Sequence, residues 1–187
     1  MAETQIRVGG FGGQGVILSG IVIGRAAAIH GGLHAVMTQS FGPEARGSAC
    51  SAQVVISDDR VLYPYVVLPR IMIAMSQDGY ASHKNNLAKD GLLVYENELV
   101  KVDKMGPQVK AFGIPATRIA EELGRKIILN IVMLGFFGGM ADILPREALR
   151  QAVKDSVPPG TEDVNLKAFD RGYEYALEIK EKAAVKA

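Results

Sequence analysis

The strongest chemical motif in the sequence is the glycine-rich run GFGGQG at residues 10–15. It matches the spacing G-x-G-x-x-G, follows a short β-branched segment typical of a strand (residues 5–9), and opens an apolar segment typical of a helix (residues 13–30). Glycines allow the backbone to approach a pyrophosphate closely, and a helix N-terminus offers unpaired N–H groups with a partial positive charge. The run therefore predicts a phosphate-binding loop or, as the alternative, a tight turn that packs against another surface.

A dinucleotide-binding site would need a second feature, an acidic residue near the end of the next strand that binds the ribose. That region reads VMTQS at residues 36–40 and contains neither an acid nor an arginine that would bind a 2′-phosphate. A stand-alone dinucleotide-binding oxidoreductase is therefore only an alternative interpretation. A ligand-binding regulatory module that works without partners is another.

A second unusual segment is the predicted loop QSFGPEARG at residues 39–47, which follows the second predicted strand (residues 33–38). If the first two strands are parallel, their carboxyl ends meet at one edge of the sheet, and this brings Glu44 and Arg46 near the glycine run. An internal ion pair or a solvated loop is the competing interpretation. The two segments together predict a cofactor-binding edge whose candidate residues are Gly10, Gly12, Gly13, Gln14, Gly15, Ser40, Gly42, Glu44, Arg46 and Gly47.

Composition limits the chemistry that this chain can perform. The length of 187 residues suits a single domain spanning residues 1–187. A net charge of +1 gives no electrostatic reason to expect nucleic acid or an anionic membrane as a partner. The single cysteine, Cys50, cannot ligate an iron–sulfur cluster alone and is interpreted as a buried small residue rather than a reactive thiol. Because the three histidines lack metal-ligand spacing and no triad is recognisable, no catalytic or metal-binding residue is predicted.

Strand and helix signals alternate along the chain, which predicts an α/β fold. The most apolar segment, residues 127–140, is shorter than the ~20 residues needed to span a bilayer, so it is expected to be a core helix or a helix that faces a partner. The polar N-terminus shows no signal peptide, and a cytoplasmic location is expected. Strands are predicted at residues 5–9, 33–38, 49–57, 71–75, 92–95 and 108–112. Helices are predicted at residues 13–30, 80–89, 116–123, 127–140 and 145–155, and after Thr161.

The two glycine-containing segments, residues 9–15 and 40–47, resemble the gamma subunit or gamma domain of 2-oxoacid:ferredoxin oxidoreductases. Further similarity lies in IMIAMS (71–76), in NIVMLG of the apolar helix (130–135), and in NLKAF of the last helix (165–169). The resemblance covers nearly the whole chain. It favours the 2-oxoglutarate or other keto-acid type over the pyruvate and indolepyruvate types.

The resemblance implies a three-layer α/β/α fold with a Rossmann-like, largely parallel or mixed central sheet. It also implies a non-catalytic subunit of a complex that converts a 2-oxoacid and coenzyme A to an acyl-CoA and carbon dioxide, and passes electrons to ferredoxin. Thiamine diphosphate and iron–sulfur clusters are expected on other subunits, with no cofactor held by this chain alone. The expected partners are alpha, beta and ferredoxin-like delta subunits, with ferredoxin bound through the complex.

A subunit of such a complex is expected to expose an apolar patch. The sequence offers two candidates, residues 127–137 and the run YPYVVL at residues 63–68. Self-association of the isolated chain into a homodimer through such a patch is an accompanying expectation. Coenzyme A carries several phosphates, so the glycine run is expected to hold one of them and Arg46 to add a charge-assisted contact.

Overall fold

The computed structural model describes residues 3–41 and 49–184, which build a six-stranded sheet in the order β2-β3-β1-β4-β5-β6. The strands are β1 (Thr4–Phe11), β2 (His34–Phe41), β3 (Ala49–Ser57), β4 (Ile71–Ala74), β5 (Leu92–Glu96) and β6 (Lys110–Ile114). Strands β1, β4, β5 and β6 are parallel, whereas β3 is antiparallel to both of its neighbours, β1 and β2. The sheet is therefore mixed, and β1 and β2 run in the same direction without being adjacent.

Six α-helices connect and cover the strands. They are α1 (Val16–Arg25), α2 (Gln77–His83), α3 (Ala116–Glu122), α4 (Leu129–Ala141), α5 (Arg146–Lys154) and α6 (Glu162–Ala184). A π-helical turn extends α1 over Ala26–His30, and 3₁₀ turns follow α2 and precede α4. Helix α2 begins earlier than the predicted residue 80 because the Ser76 hydroxyl caps it by accepting a hydrogen bond from the Gly79 N–H (3.1 Å).

The side chains of the sheet alternate between two apolar layers, as the two-residue period of a strand requires. Ile6 and Val8 of β1 lie in the larger core beneath α1 and α3 to α6. Met72 and Leu93 point to the other face, where they pack in a smaller cluster with Tyr80 of α2. Helices thus cover both faces of a mixed sheet, and the expected α/β fold is confirmed.

Helix α4 is enclosed on all sides, because residues 129–140 are all buried. The segment predicted from residue 127 is therefore a core helix. Of the candidate patch at residues 127–137, only Ile127 is exposed, so this half of the patch prediction is wrong. Within the described ranges, no helix combines the length and the apolar character that crossing a membrane requires.

Helices α4 and α6 touch through their backbones at glycines. A Cβ atom on Gly172 of α6 would lie 2.0 Å from the Val132 carbonyl oxygen, and one on Gly135 of α4 would lie 1.9 Å from the Phe169 carbonyl oxygen. Real Cβ atoms are not found at such separations from backbone atoms, so any larger residue would force the helices apart. The glycines therefore set the distance between α4 and α6.

Replacing Gly172 with alanine tests this contact. We expect Gly172→Ala to lower the free energy of unfolding by about 1–3 kcal/mol, because the added methyl group overpacks a backbone contact that cannot yield locally. The matched control is Gly24→Ala in α1, where an added Cβ meets no atom within 4 Å and helix propensity favours alanine by about 1 kcal/mol. Urea unfolding of the two variants measures both effects. Equal midpoints for wild type and Gly172→Ala would show that the helices are not in contact there.

Candidate functional site

The glycine run forms the turn between β1 and α1. Gly13 and Gly15 have φ angles of +99° and +74°, a backbone region that side chains with a Cβ rarely adopt. Gly10 lies inside β1 and is buried, and a Cβ there would meet the side chains of Gln14 and Val16 at 2.8 Å. Gly12 and Gly13 are exposed. The run therefore divides into a packed strand end and an open turn.

The Gln14 side chain closes the turn from inside. Its carboxamide oxygen accepts a hydrogen bond from the Phe11 N–H (2.7 Å), and its amide nitrogen donates to the Met75 carbonyl oxygen (2.9 Å). Both ends of the amide are thus bonded to backbone. Gln14 therefore stabilises the conformation of the loop, and both its side-chain oxygen and its side-chain nitrogen already have a backbone partner.

The amino end of α1 is open to a cavity of about 540 Å³. Gly15 occupies the cap position without a side-chain hydrogen bond, and the first turn contains no acidic residue. The first N–H groups of a helix have no intrahelical acceptor, and they carry the positive end of its dipole. The cavity is lined by Gly12, Gly13, Gly15, Val16, Ile17, Leu18, Phe41 and Cys50. This arrangement suits an anionic group such as a phosphate.

The end of β2 reaches the same edge of the sheet as the glycine turn. Phe41 pairs with Cys50 of β3, and Cys50 in turn pairs with Gly10 of β1. Ser40 is exposed near the end of this strand, which runs three residues beyond its predicted end at residue 38. The remaining candidate residues of the second loop, Gly42, Glu44, Arg46 and Gly47, lie outside the described residues.

Among the described residues that line this cavity, Cys50 is the one with a titratable side chain. It is buried, and burial raises the pKa of its thiol. A raised pKa disfavours the thiolate, which is the nucleophilic form. The position of Cys50 is therefore that of a small buried residue in the wall of the cavity.

A second cavity of about 380 Å³ adjoins the glycine turn on its other side. It lies at the amino ends of α4 and α6 and shares Gly13, Gly15 and Leu18 with the first cavity. Its lining is mostly apolar and comes from Gly13, Gly15, Leu18, Arg125, Ile127, Ile128, Asn130, Ile131, Val157, Pro158, Thr161 and Asn165. Sequence reasoning missed this cavity because its walls come from segments more than a hundred residues apart.

Four polar side chains line the second cavity, namely Arg125, Asn130, Thr161 and Asn165. Asn130 is 3% exposed and donates one long hydrogen bond to the Gly15 carbonyl oxygen (3.4 Å). Asn165 is also buried, and its amide nitrogen donates to the Thr161 carbonyl oxygen (2.8 Å). Arg125 is exposed at the rim and forms no ion pair within the described residues. The sequence signal for this cavity is Asn130, a polar residue within the apolar segment at residues 127–140.

The described residues at this edge include no cluster of metal-ligating side chains. Across residues 3–41 and 49–184, no group of three His, Cys, Asp or Glu side chains could hold a metal ion. Two histidines are bonded elsewhere, His30 to the Asp155 carboxylate (2.9 Å) and His83 to the Arg7 guanidinium (3.0 Å). Among the described residues, this edge offers backbone N–H groups, amide side chains and a cation that suit the binding of a ligand.

Comparison with known proteins identifies the relatives of this chain. The family model described as pyruvate ferredoxin/flavodoxin oxidoreductase matches residues 5–175. The 2-oxoglutarate synthase subunit KorC of Methanocaldococcus jannaschii is 47% identical over 180 residues, which cover 95% of this chain and 96% of that protein. The match is thus between two chains of nearly equal extent.

Two solved structures have the same fold. The gamma subunit of a keto/oxoacid ferredoxin oxidoreductase from Geobacter sulfurreducens superposes with a TM-score of 0.83 and 33% identity, over 94% of this chain and 99% of that one. A 2-oxoglutarate:ferredoxin oxidoreductase from Magnetococcus marinus, solved with 2-oxoglutarate, coenzyme A and succinyl-CoA, gives a TM-score of 0.85 and 25% identity, over 94% of this chain but 31% of that one. The resemblance seen in the glycine run and the second loop is confirmed, and the chain belongs to the pyruvate ferredoxin/flavodoxin oxidoreductase family.

Proposed function

We propose that this chain is the gamma subunit of a 2-oxoglutarate:ferredoxin oxidoreductase. In that complex, 2-oxoglutarate and coenzyme A give succinyl-CoA and carbon dioxide, and two electrons pass to ferredoxin. The observation that carries the proposal is the end-to-end match to a 2-oxoglutarate synthase subunit at 47% identity. The single cysteine is buried, and the described residues include no group of three His, Cys, Asp or Glu that could hold a metal ion, which supports a non-catalytic role within the complex.

The proposal includes the other members of the complex. Alpha and beta subunits would carry thiamine diphosphate, and a ferredoxin-like delta subunit would carry iron–sulfur clusters, because this chain has one cysteine and no thiamine-binding signature. The chain would act as one domain in the cytoplasm. Its contribution would be to bind and orient, while bond breaking and electron transfer occur on its partners.

We also propose that the edge of the sheet beside the glycine turn holds a phosphate-bearing part of coenzyme A. Phosphate oxygens would accept hydrogen bonds from the open N–H groups of residues 16–18, where the dipole of α1 favours negative charge. Arg125 at the rim of the second cavity would add a charge-assisted contact, and so would Arg46 of the second loop. The apolar wall formed by Ile128 and Ile131 suits a less polar part of the same ligand.

The topology argues against the alternative of a stand-alone dinucleotide-binding oxidoreductase. In such proteins the strand that carries the ribose-binding acid lies beside the first strand. Here β3 separates β1 from β2, and the end of β2 has no acid in its described residues. The described residues of this edge therefore supply no carboxylate that could accept a hydrogen bond from the ribose of a nicotinamide or flavin dinucleotide.

Anaerobic purification of the tagged chain from its native cells tests the subunit assignment. We expect thiamine-binding and ferredoxin-like polypeptides to copurify, and the preparation to reduce ferredoxin when given coenzyme A with 2-oxoglutarate, and far more slowly with pyruvate. Mass spectrometry and the two activity assays measure this. Recovery of the chain alone with a bound nucleotide would instead support the dinucleotide-binding alternative.

Two arginine variants test the coenzyme A site in the assembled complex. We expect Arg125→Gln and Arg46→Ala each to raise the KM for coenzyme A about five- to tenfold, since a partly exposed contact to phosphate contributes about 1 kcal/mol or somewhat more. The KM for 2-oxoglutarate is expected to stay unchanged. The matched control is Arg171→Gln, an exposed arginine of α6 whose surface ion pair with Glu122 lies at 3.5 Å. If the variants lower only the yield of the complex, these arginines are interface residues and the site assignment is wrong.

A further inference from the structure

Residues 61–69, VLYPYVVLP, form an uncharged segment between β3 and β4 that we term the apolar strap. Most of its large side chains face solvent, with exposed fractions between 55% and 85%, namely Leu62, Tyr63, Tyr65, Val67 and Leu68. Soluble proteins rarely leave so many neighbouring apolar side chains uncovered unless the surface binds something. The coenzyme A site does not involve this segment.

The apolar strap is fixed to the sheet by hydrogen bonds to its backbone. The Gln5 carboxamide oxygen accepts from the Val67 N–H (2.9 Å) and the Leu68 N–H (3.1 Å). The Gln53 carboxamide oxygen accepts from the Val66 N–H (3.0 Å). Because the backbone is already held, a partner that covers the exposed side chains has little chain entropy to overcome.

A buried arginine supplies a further anchor. Arg7 of β1 is 8% exposed and donates to the Val66 carbonyl oxygen (2.6 Å) and to the Gln53 carboxamide oxygen (3.2 Å). Its other nitrogen is within 3.0 Å of His83 Nδ1, and it forms no ion pair with a carboxylate in the described residues. Burial of a cation without a carboxylate partner is unfavourable. The backbone of the strap is thus held to the sheet by Gln5, Gln53 and Arg7.

The surroundings of the apolar strap are those of a protein interface. Asp59 and Arg60 precede it, and Arg70 follows it in an exposed ion pair with Asp90 (2.8 Å). An apolar centre with a mixed-charge rim is the usual anatomy of a protein–protein interface. A membrane surface would instead call for a predominantly basic rim. The chemistry of the strap thus fits a protein partner.

The Magnetococcus marinus enzyme points to the identity of the protein that would cover the apolar strap. There the same fold makes up 31% of a longer chain, so covalent linkage keeps it beside the remainder of that chain. In the KorC relative from Methanocaldococcus jannaschii and the gamma subunit from Geobacter sulfurreducens, by contrast, the match covers 96% and 99% of the protein, so there the fold is not linked to such a region. A gamma subunit of that kind holds the equivalent neighbour through a noncovalent surface.

We propose that the apolar strap is the surface on which another subunit of the same oxidoreductase complex docks, namely the subunit equivalent to the unmatched part of the longer Magnetococcus chain. The proposal rests on the gamma-subunit function. A standard interface buries about 800 Å² on each partner, so the five exposed side chains form its centre rather than its whole extent. Gln5 and Arg7 lie on the sheet face opposite α1, so docking leaves the glycine turn free to bind its ligand.

Competitive assembly in cells tests the proposal. The other subunits of the complex are coexpressed with equal amounts of the wild-type chain and of a differently tagged variant, Tyr65→Ser/Leu68→Ser. Quantitative mass spectrometry then measures the ratio of variant to wild-type chain in the purified complex. We expect the variant to be depleted about tenfold or more, because truncation of central interface side chains weakens binding by that order. The control is Ile29→Ser/Leu177→Ser, which removes exposed apolar side chains from the helical layer.

Further measurements decide how the result is interpreted. The thermal unfolding midpoint of the isolated strap variant should equal that of wild type, because the altered side chains face solvent. A large drop in the midpoint would mean that these side chains stabilise the fold instead of binding a partner. Equal incorporation of variant and wild type, or equal depletion of the control, overturns the proposal. Equal incorporation together with loss of self-association by the isolated chain would identify a second copy as the occupant. If wild type itself enters no complex, the gamma-subunit function fails first.

Discussion

Strand β1 is paired along both edges, antiparallel to β3 and parallel to β4. It contributes to the core, holds the apolar strap and leads into the glycine turn. Ile6 and Val8 point into the core beneath α1, whereas Gln5 and Arg7 point the other way and hold the apolar strap. A slip of one residue would exchange these two sets and place a glutamine and an arginine in the core. The register of β1 therefore fixes the core, the strap and the start of the glycine turn together.

Helices α1, α4 and α6 set the shape of the second cavity beside the glycine turn. Because glycines let α4 and α6 touch through their backbones, the first turns of both helices converge beside the glycine turn. Asn130 of α4 then lies against Gly15, where a Cβ on that glycine would be 2.5 Å from the asparagine amide nitrogen. A side chain at position 15 would thus collide with α4 as well as strain a positive φ angle. The packing that stabilises the core also holds the turn open toward the cavities.

Much of the fold was predictable, because it depends on local patterns. The strand at residues 49–57 was placed correctly to the residue, and most other strands and helices within a few residues. The antiparallel insertion of β3 was not predictable, since strand order depends on contacts between distant segments. A buried Arg7 was also not predictable, because arginine is normally a surface residue and only the strap opposite it explains its place. The glycine turn was found from its motif, but the neighbouring cavity required the arrangement of three helices.

Among the described residues, the edge beside the glycine turn offers many groups suited to binding and few side chains that could react. Gln14 is bonded to backbone at both ends of its amide, and burial raises the pKa of the Cys50 thiol, so neither side chain is disposed to act as a base or nucleophile. What remains accessible is the amino end of α1, exposed glycine backbone and a cation at the rim. Such groups attract a charged ligand and fix its orientation, but they cannot accept electrons or form a covalent intermediate. Under the proposed function, the chain would position a ligand for chemistry on another subunit, and the apolar strap, on the sheet face opposite α1, would remain available for docking.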